Sequence, residues 1–439
     1  MIFICGAAGG CSSACGATRR PPAWAAATRA RGGCGCANPL CWRCNWRCCA
    51  AAASGGRTAP RTWILWPRAH EDDHMKSLNI AYMPALDHLR LLAALLVFAF
   101  HLFHFYYGQW QPAPYAAAFG LITEGHTGVA LFFVLSGFLF MCIGLQAGEI
   151  RYAAFVRNRF LRIFPLFLFF FFIAISVGRD EFRAADVLYV FFSNLGQAPT
   201  SASFITGAAW TISVEFTFYL IFPFLARFVR AEGAAYLLRL IALLALVKLA
   251  AYGVSERPTH MLYSTLVGRL DQFLWGMLAA VLWTQRRAWF ERHGRVLLAL
   301  AVLAVWAATT WQARYASYFL PEPRQPAWVV WGTVEALAWA ALVLGYISAR
   351  IAWPAPMARA LEHAGAWSYS FYLWHGLLLY TAQRFVGVWT PFGSVMANAL
   401  ANFALLLPVT LALAGLSYAT IERPFLRLRG RYQGASAPR

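Results

Sequence analysis

Long apolar runs, each of about twenty residues, recur from Leu86 almost to the end of the chain, with short polar segments between them. A helix needs about 20 mostly apolar residues to cross the hydrocarbon core of a bilayer. The apolar stretch 187–196 is too short for this and is assigned to the interface or a loop. The pattern predicts an all-α polytopic membrane protein with about ten transmembrane helices. The predicted spans are 86–107, 126–146, 160–178, 210–229, 234–253, 264–283, 296–313, 327–348, 367–386 and 394–419.

Lysine and arginine are distributed unevenly between the predicted loops. If the chain starts inside, twenty of the basic residues from Met75 onward lie in cytoplasmic segments and six lie in outer loops. Cytoplasmic loops of membrane proteins carry such an excess of basic residues. We therefore predict that the protein crosses the membrane several times, with an even number of spans, and that both termini are cytoplasmic. The asymmetry also accounts for the formal charge of +19 without a nucleic-acid partner.

The first 74 residues differ in composition from the rest of the chain. They hold nine of the ten cysteines among Ala, Gly and Arg, with no apolar period. The run CWRCNWRCC, 41–49, suggests a thiolate metal site, but it has no histidine and no second pair at zinc-finger spacing, so no metal is expected. We interpret 1–74 as a disordered or spurious N-terminal extension. Residues 75–430 then form the membrane domain, and 431–439 form a cytoplasmic tail.

The first predicted span carries charges that membrane segments ordinarily exclude. LDHLRLLAALLVFAFHLFHF, 86–105, contains Asp87, Arg90 and His101. The eleven-residue separation places Arg90 and His101 on one helix face, about 16 Å apart along the axis. Asp87 precedes Arg90 by one turn and is expected to pair with it. A buried charge costs about 2.5–3.5 kcal/mol, so we favour a functional stripe lining one interior cavity over a purely structural stripe.

Later spans add ionisable and small side chains. Glu215 lies in an aromatic helix, and Arg269 and His375 lie in two further spans. Ser136 and Gly137 are small enough for the close approach of a helix or a ligand. Ser136 as a nucleophile would need a sharp strand-to-helix turn, which its apolar stretch lacks, so a packing role is favoured. Each of these features is weak when it is taken singly.

Taken together, these stretches resemble the acyltransferase-3 family, whose members are integral-membrane O-acyltransferases of cell-surface glycans and related acceptors. The resemblance covers residues 84 to about 430, and its motifs occur in the family order. They are the Arg-x10-His pair Arg90 and His101, GVALFFVLSGFLF (128–140), FVRNRFLRIFPLF (155–167), WTISVEFTFYLIFP (210–223), RLDQFLWGMLAA (269–280), SYSFYLWH (368–375) and IERPF (421–425). His88 stands where the family commonly has Gly.

The resemblance implies transfer of an acyl group, usually acetyl, from a cytoplasmic thioester such as acetyl-CoA to a hydroxyl. Acetyl-CoA is then a co-substrate, and no permanently bound cofactor is implied. The expected acceptor is a glycan, such as lipopolysaccharide or another polysaccharide of the cell envelope, or a related hydroxyl compound. The acceptor itself and the length of the acyl chain stay open.

Residue chemistry suggests roles within such a reaction. His101, with a free pKa of about 6.5, suits a general base for the acceptor hydroxyl, or it could carry the acyl group covalently. Glu215 is the candidate to orient His101. Arg90 could stabilise the oxyanion or hold the donor pyrophosphate. Arg159 and Arg162 suit the donor phosphates, with positive-inside topology charge as the equal alternative.

Five residues receive supporting roles in this interpretation. They are Asp87, Ser136, Trp210, Arg269 and His375. The alternative function is a transporter or flippase of glycan intermediates, because polar residues buried in a membrane also line transport pathways. An acyltransferase should lose donor turnover when His101 is replaced by alanine, whereas a transporter should move its substrate with no donor present.

Overall fold

The structure is a computed structural model that describes residues 79–106, 117–146, 149–180, 182–183, 186, 209–320 and 324–432. These residues form helices and connecting segments, with no strand among them. Three predicted features lie outside the described residues: the extension 1–74, the short apolar stretch 187–196, and the tail beyond 432.

Fourteen α-helices make up the described part of the chain. They are α1 Pro84–His101, α2 Gly120–Thr123, α3 Thr127–Gln146, α4 Tyr152–Val177, α5 Ala209–Glu232, α6 Ala234–Val254, α7 Pro258–Ser264, α8 Leu266–Gln285, α9 Arg287–Tyr315, α10 Trp328–Ala349, α11 Ala355–Ala366, α12 Ser368–Phe385, α13 Val395–Ser417 and α14 Arg423–Leu426. Two π-helical turns extend them. Leu102–Tyr106 continues α1, and Tyr418–Glu422 joins α13 to α14.

Nine of the described helices are long and apolar enough to cross a membrane, judged by length and composition. They match nine of the ten predicted spans, which confirms an all-α polytopic membrane protein. The remaining span, 367–386, forms the 18-residue helix α12 and is not among the nine. Its polar residues, His375 among them, lower its mean hydropathy.

The two ends of the described domain meet at one face of the bundle. The backbone N–H of Tyr432 donates to Oδ1 of Asn79, which precedes α1, at 2.9 Å. We call this the terminal face and the opposite one the far face. A chain that returns to its starting face crosses an even number of times. Among the described helices, counting α12 with the nine apolar ones gives the even number ten.

Helices α3 and α8 touch backbone to backbone near the middle of the bundle. A Cβ added to Gly137 would lie 2.1 Å from the carbonyl oxygen of Phe273, and one added to Gly276 would lie 2.2 Å from that of Val134. Only glycine permits this approach, as the small Ser136-Gly137 pair suggests. The contact fixes the position of α3, whose Ser136 faces the site described below.

Two buried ion pairs hold α8 between α6 and α10. Lys248 Nζ lies 2.7 Å from Asp271 Oδ2, and Arg269 Nη1 lies 3.1 Å from Glu335 Oε2. All four side chains are 2% exposed. Loss of one partner would leave the other as an uncompensated buried charge, which is strongly destabilising. These pairs therefore fix the position of α8 relative to α6 and α10.

Two elements cover the terminal face. Helix α11 lies against α1, where a Cβ on Gly365 would be 2.2 Å from the Asp87 carbonyl oxygen. Residues 428–432, here called the strap, run back over α4. Asn158 Nδ2 donates to the carbonyl of Gly430 at 2.6 Å, and the backbone N–H of Gly430 donates back to Asn158 Oδ1 at 3.1 Å. Tyr432, assigned to the tail from sequence, is 1% exposed.

Candidate active site

A cavity of about 400 Å³ reaches into the bundle from the terminal face. It lies between α1, α3, α4, α5, α11 and α12, and the strap forms part of its wall. The wall contains five arginines and three carboxylates. The arginines are Arg90, Arg159, Arg162, Arg359 and Arg429, and the carboxylates are Asp87, Glu215 and Glu362. Because guanidinium groups match phosphate oxygens in charge and geometry, this wall suits a phosphorylated ligand.

Arg90 is held in the cavity wall by its neighbour on α1. Its Nη1 donates to Asp87 Oδ1 at 2.7 Å, the pair predicted from the one-turn spacing. The Tyr82 hydroxyl lies 2.9 Å from the other Asp87 oxygen and 3.3 Å from Glu362 Oε2 of α11. Burial, followed by Asp87, raises the pKa of Tyr82, so the phenol stays protonated and donates. Tyr82 thus connects α1 to α11 at the cavity mouth.

Arg159 of α4 is fixed between α3 and the strap. Its Nη2 donates to the Tyr432 hydroxyl at 2.7 Å, and its guanidinium carbon lies 5.0 Å from the centre of the Phe140 ring. The face of an aromatic ring attracts a cation, which orients the guanidinium. Tyr432 itself packs on Phe155, with ring centres 5.2 Å apart. The strap therefore sets the position of a predicted donor-binding residue.

Arg162, one turn further along α4, pairs with a buried acid. Its Nη1 lies 3.2 Å from Glu422 Oε2, and its Nη2 lies 3.5 Å from the carbonyl oxygen of Ala366. The Glu422 side chain is 1% exposed and also accepts a hydrogen bond from Ser370. The Arg162 side chain is 24% exposed. One side of this guanidinium is therefore anchored while the residue lines the cavity.

Arg429, which belongs to the strap, has a pKa that reflects the positive charge of the cavity wall. Burial, followed by the nearby charges of Arg159 and Arg162, lowers the pKa of Arg429 to about 10. Three cationic groups close enough to affect one another will together attract an anion. They converge on one wall of the cavity, where a ligand with several phosphate charges would relieve their repulsion.

Glu215 lies deeper in the cavity, on α5. Its Oε1 accepts a hydrogen bond of 2.7 Å from Ser136 of α3 and another from Tyr219 one turn along its own helix. Ser136 therefore serves as a hydrogen-bond donor to a carboxylate. Beside them, the hydroxyls of Thr211 and Tyr372 lie 2.9 Å apart. These side chains give the inner part of the cavity a polar lining within an otherwise aromatic region.

His101 lies at the end of α1 and contacts α12. Its Nδ1 is 2.9 Å from the Val97 carbonyl oxygen and 3.3 Å from Nε2 of His375. Glu215, expected to orient His101, makes its hydrogen bonds among the described residues with side chains of α3 and α5. Side chains from different helices meet according to how those helices pack, which spacing along one chain does not specify.

Arg90 and His101, expected to line one cavity, stand differently toward the cavity described above. Arg90 is among the described residues that line it, and His101 is not. Between them, α1 packs against α3 so tightly that a Cβ on Gly128 would lie 2.3 Å from the Ala93 carbonyl oxygen. The helix face that the two residues share is therefore closed part-way along. Tyr372 lines the cavity one turn before His375 on α12, so a single turn separates the cavity wall from the contact with His101.

Trp210 and Arg269 meet away from the cavity. The guanidinium carbon of Arg269 lies 5.7 Å from the centre of the Trp210 ring and 4.9 Å from that of Tyr263, whose carbonyl accepts from Arg269 Nε at 2.6 Å. Neither of the two predicted residues is among the described residues that line the cavity. They join α5, α7 and α8, which fits a role in holding the outer part of the bundle.

Comparison with known proteins places the chain in a family. The family described as "Acyltransferase domain" matches residues 83–419, most of the chain. The chain belongs to the acyltransferase-3 family. It is therefore a membrane protein that transfers acyl groups, and the match favours this reaction over the transporter alternative.

Three relatives align with about four-fifths of this chain. Acyltransferase MdmB of Streptomyces mycarofaciens is 27% identical over 82% of this chain and 96% of that protein. Nodulation protein 10 of Rhizobium leguminosarum bv. viciae is 28% identical over 78% of this chain and 93% of its own length. O-acetyltransferase OatA of Staphylococcus aureus is 22% identical over 81% of this chain and 59% of OatA. No solved structure is a significant match.

Sequence reasoning missed several residues of the site in this acyltransferase-3 protein. Glu422 stands in the recognised motif IERPF but was not singled out. The sequence assigns Arg429 only to the topology charge and Tyr432 to the tail. Tyr219 lies one turn after Glu215, and this spacing was the signal that could have identified it. The other three depend on how the chain end folds over α4, for which the sequence holds no periodic signal.

Proposed function

We propose that the protein is an O-acyltransferase of the bacterial inner membrane that takes an acyl group, most directly acetyl, from cytoplasmic acyl-CoA. The acceptor is a hydroxyl of a carbohydrate or related compound. The arginine-lined cavity at the terminal face carries this proposal, because the distribution of basic residues predicts that this face is cytoplasmic. The acetyl group is supported by the name of one relative, O-acetyltransferase OatA.

Coenzyme A suits the chemistry of this cavity. Its phosphates would be bound by Arg159 and Arg162, whose guanidinium groups offer several donors each. Arg429 adds a third charge on the same wall. The thioester end of the donor would then point inward, toward Glu215 and Tyr372, which line the cavity.

Arg90 belongs with the donor in this proposal. It lies about 16 Å from His101 along α1. The hydroxyl that His101 deprotonates attacks the acyl carbonyl, so the oxyanion forms near His101. Arg90 is too far away to stabilise it. It is also paired with Asp87 in the cavity wall. Of its two candidate roles, binding the donor pyrophosphate is therefore favoured over stabilising the oxyanion.

His101 acts as the general base for the acceptor hydroxyl. The thioester approaches it along α12, on which the cavity-lining Tyr372 and the His101 partner His375 are one turn apart. A displacement of the Tyr372 side chain would open this short path. The acceptor would then be acylated close to His101.

Labelled acetyl-CoA tests the proposal directly. Membrane vesicles from cells that produce the full chain are given [14C]acetyl-CoA, and transfer of label to envelope glycans is measured. His101→Ala should lower kcat by about 10²- to 10⁴-fold. Arg159→Gln should raise the KM for acetyl-CoA about tenfold, since a hydrogen bond to a charged group contributes about 1.5–3 kcal/mol. Arg230→Gln is the matched control, because Arg230 is exposed and is not among the described residues that line the cavity.

Mass spectrometry of envelope glycans provides the second readout. A strain that lacks the gene should lose about 42 Da per acetylated site, the mass of an added acetyl group. Label transfer that persists in the His101→Ala vesicles would contradict the proposal. So would an unchanged KM for acetyl-CoA in Arg159→Gln, together with an unchanged glycan mass in the strain that lacks the gene.

A further inference from the structure

The imidazole rings of His101 and His375 form a pair between α1 and α12. Their ring centres are 4.9 Å apart, and Nε2 of His375 lies 3.3 Å from Nδ1 of His101. His375 is 2% exposed. Phe98, which is fully buried, packs edge-on against it, with ring centres 6.5 Å apart. The two rings therefore meet at the buried side chain of His375, with their planes inclined by 58°.

The hydrogen bonds of His375 define which of its nitrogens carries the proton. Its Nδ1 lies 2.5 Å from the carbonyl oxygen of Tyr372. A carbonyl oxygen can only accept, so Nδ1 must be the protonated nitrogen of the neutral ring. The other nitrogen, Nε2, then bears a lone pair directed at His101.

The same reasoning assigns the tautomer of His101. Its Nδ1 faces two acceptors, the Val97 carbonyl oxygen at 2.9 Å and the His375 Nε2 lone pair at 3.3 Å. A lone pair on Nδ1 would face the lone pairs of both acceptors. Nδ1 therefore carries the hydrogen, which is directed toward the Val97 carbonyl oxygen and His375 Nε2. In the neutral ring the basic lone pair is therefore on Nε2.

We propose that His375 is the positioning residue of the acyl transfer, which fixes His101 in the tautomer that presents Nε2 as the base. The inference rests on the proposed function of His101. A neutral imidazole here takes the place that a carboxylate holds in a Ser-His-Asp triad, where the third residue sets the tautomer and stabilises the imidazolium. Glu215, predicted from sequence for this place, lies instead with Ser136 and Tyr219.

His375 matters most while His101 holds the transferred proton. The acceptor oxygen bonds to the acyl carbon while its proton passes to His101 Nε2. The carbon–sulfur bond of acyl-CoA then breaks, and the imidazolium returns the proton to the leaving thiolate. Between these events His101 is cationic, and the hydrogen bond from its Nδ1 to His375 strengthens because the donor is charged.

Two substitutions of His375 separate positioning from packing. His375→Gln can place a carbonyl oxygen near the former Nε2 and keep an acceptor for His101, whereas His375→Leu removes it. With [14C]acetyl-CoA and membrane vesicles, we expect the Leu variant to lose about 10- to 100-fold in kcat, the loss seen when a metal-bound imidazole loses its orienting partner. The Gln variant should stay within about fivefold of the wild type, and both should keep the wild-type KM for acetyl-CoA. Equal losses in the two variants, or a loss expressed in KM, would overturn the proposal.

A spectroscopic measurement tests the tautomer without turnover. The full chain is labelled with [15N]histidine, placed in lipid nanodiscs and studied by long-range 1H–15N correlation, with His101→Ala used to assign the His101 signals. Wild-type His101 should show the Nδ1–H tautomer, retained in His375→Gln and mixed in His375→Leu. An Nε2–H tautomer in the wild type, or unchanged His101 signals in His375→Leu, would refute the positioning role.

The two measurements can fail independently of each other. If wild-type vesicles transfer no label while the tautomer responds to His375 as expected, the proposed function fails as an acetyl-CoA reaction, and the positioning role falls with it. If label transfer depends on His101 but the two His375 variants behave alike, the proposed function stands and the inference about His375 is wrong.

Discussion

Glu422 connects three elements around the cavity. Its carboxylate pairs with Arg162 of α4, accepts from Ser370 of α12, and belongs to the π-helical turn that follows α13. The extra residue of a π-turn rotates side chains relative to a regular helix, and such turns are frequent at functional sites. The acid is almost fully enclosed while its arginine partner reaches the cavity, so the pair is both an anchor and part of the site.

The coupling within this pair can be measured. Arg162→Met should lower the free energy of unfolding by about 2–3 kcal/mol, because it leaves a buried carboxylate without its cation; the partial exposure of Arg162 keeps the loss below the 3–5 kcal/mol of a fully buried pair. Adding Glu422→Gln should recover most of that loss, since the amide needs no counter-charge. Thermal unfolding of the purified variants in detergent gives the comparison. A double variant as unstable as the sum of the two single variants would show that the residues are not coupled.

Contacts within one helix could be predicted from sequence, and contacts between helices could not. The Asp87–Arg90 pair follows from one-turn spacing and is present. Glu215 of α5 was expected to orient His101, and the structure shows His375 of α12 beside His101. Helical periodicity fixes which residues share a face. It does not fix which neighbouring helix covers that face, since this depends on packing throughout the bundle.

At the scale of helices, glycine contacts determine how closely the spans approach. Gly137 and Gly276 face each other's helix across the α3–α8 contact, and an added Cβ at either would come within 2.2 Å of a carbonyl oxygen. Displacement of α3 would also move Ser136, which donates to Glu215. Packing and the polar lining of the cavity therefore depend on the same contact.

Alanine at these glycines should destabilise the protein. Gly137→Ala and Gly276→Ala should each cost about 3 kcal/mol, because the Cβ clashes with backbone that cannot move independently of its helix. Gly253→Ala on α6 is the matched control, since nothing lies within 4 Å of its added Cβ. Melting temperatures in detergent, with the yield of monodisperse protein, provide the measurement. A control that melts as low as the two core variants would contradict this account of the α3–α8 contact.

The hydropathy pattern predicts the long helices but not the short helix α11, and the reason is physical. Nine spans are apolar enough to be identified by hydropathy, and α12 was identified in spite of its polar residues, within one residue at each end. Helix α11, with twelve residues and an exposed side, gave no span signal and was missed. It nevertheless supplies Arg359 and Glu362 to the cavity. Short amphipathic helices bury too little apolar surface to stand out in a window of membrane length.

The crossing of α12 decides the topology of the whole molecule. The contact between Asn79 and Tyr432 requires an even number of crossings, and the loop after α12 lies on the far face only if α12 crosses. That loop contains Gly393, which is exposed and has nothing near an added Cβ. It can therefore report the side of the membrane without disturbing the fold. Ala231, exposed at the end of α5, marks the terminal face, and Glu256, exposed after α6, marks the far face.

Cysteine labelling in intact spheroplasts tests both the crossing and the orientation. In a chain with its ten native cysteines replaced, Gly393→Cys and Glu256→Cys should react with a membrane-impermeant maleimide, and Ala231→Cys should react only after lysis. This result follows if α12 is the tenth span and the basic terminal face is cytoplasmic. If Gly393→Cys reacts only after lysis, as Ala231→Cys does, α12 does not cross. If Ala231→Cys alone reacts in intact spheroplasts, the orientation is reversed, and the arginine-lined cavity would then open away from cytoplasmic acyl-CoA.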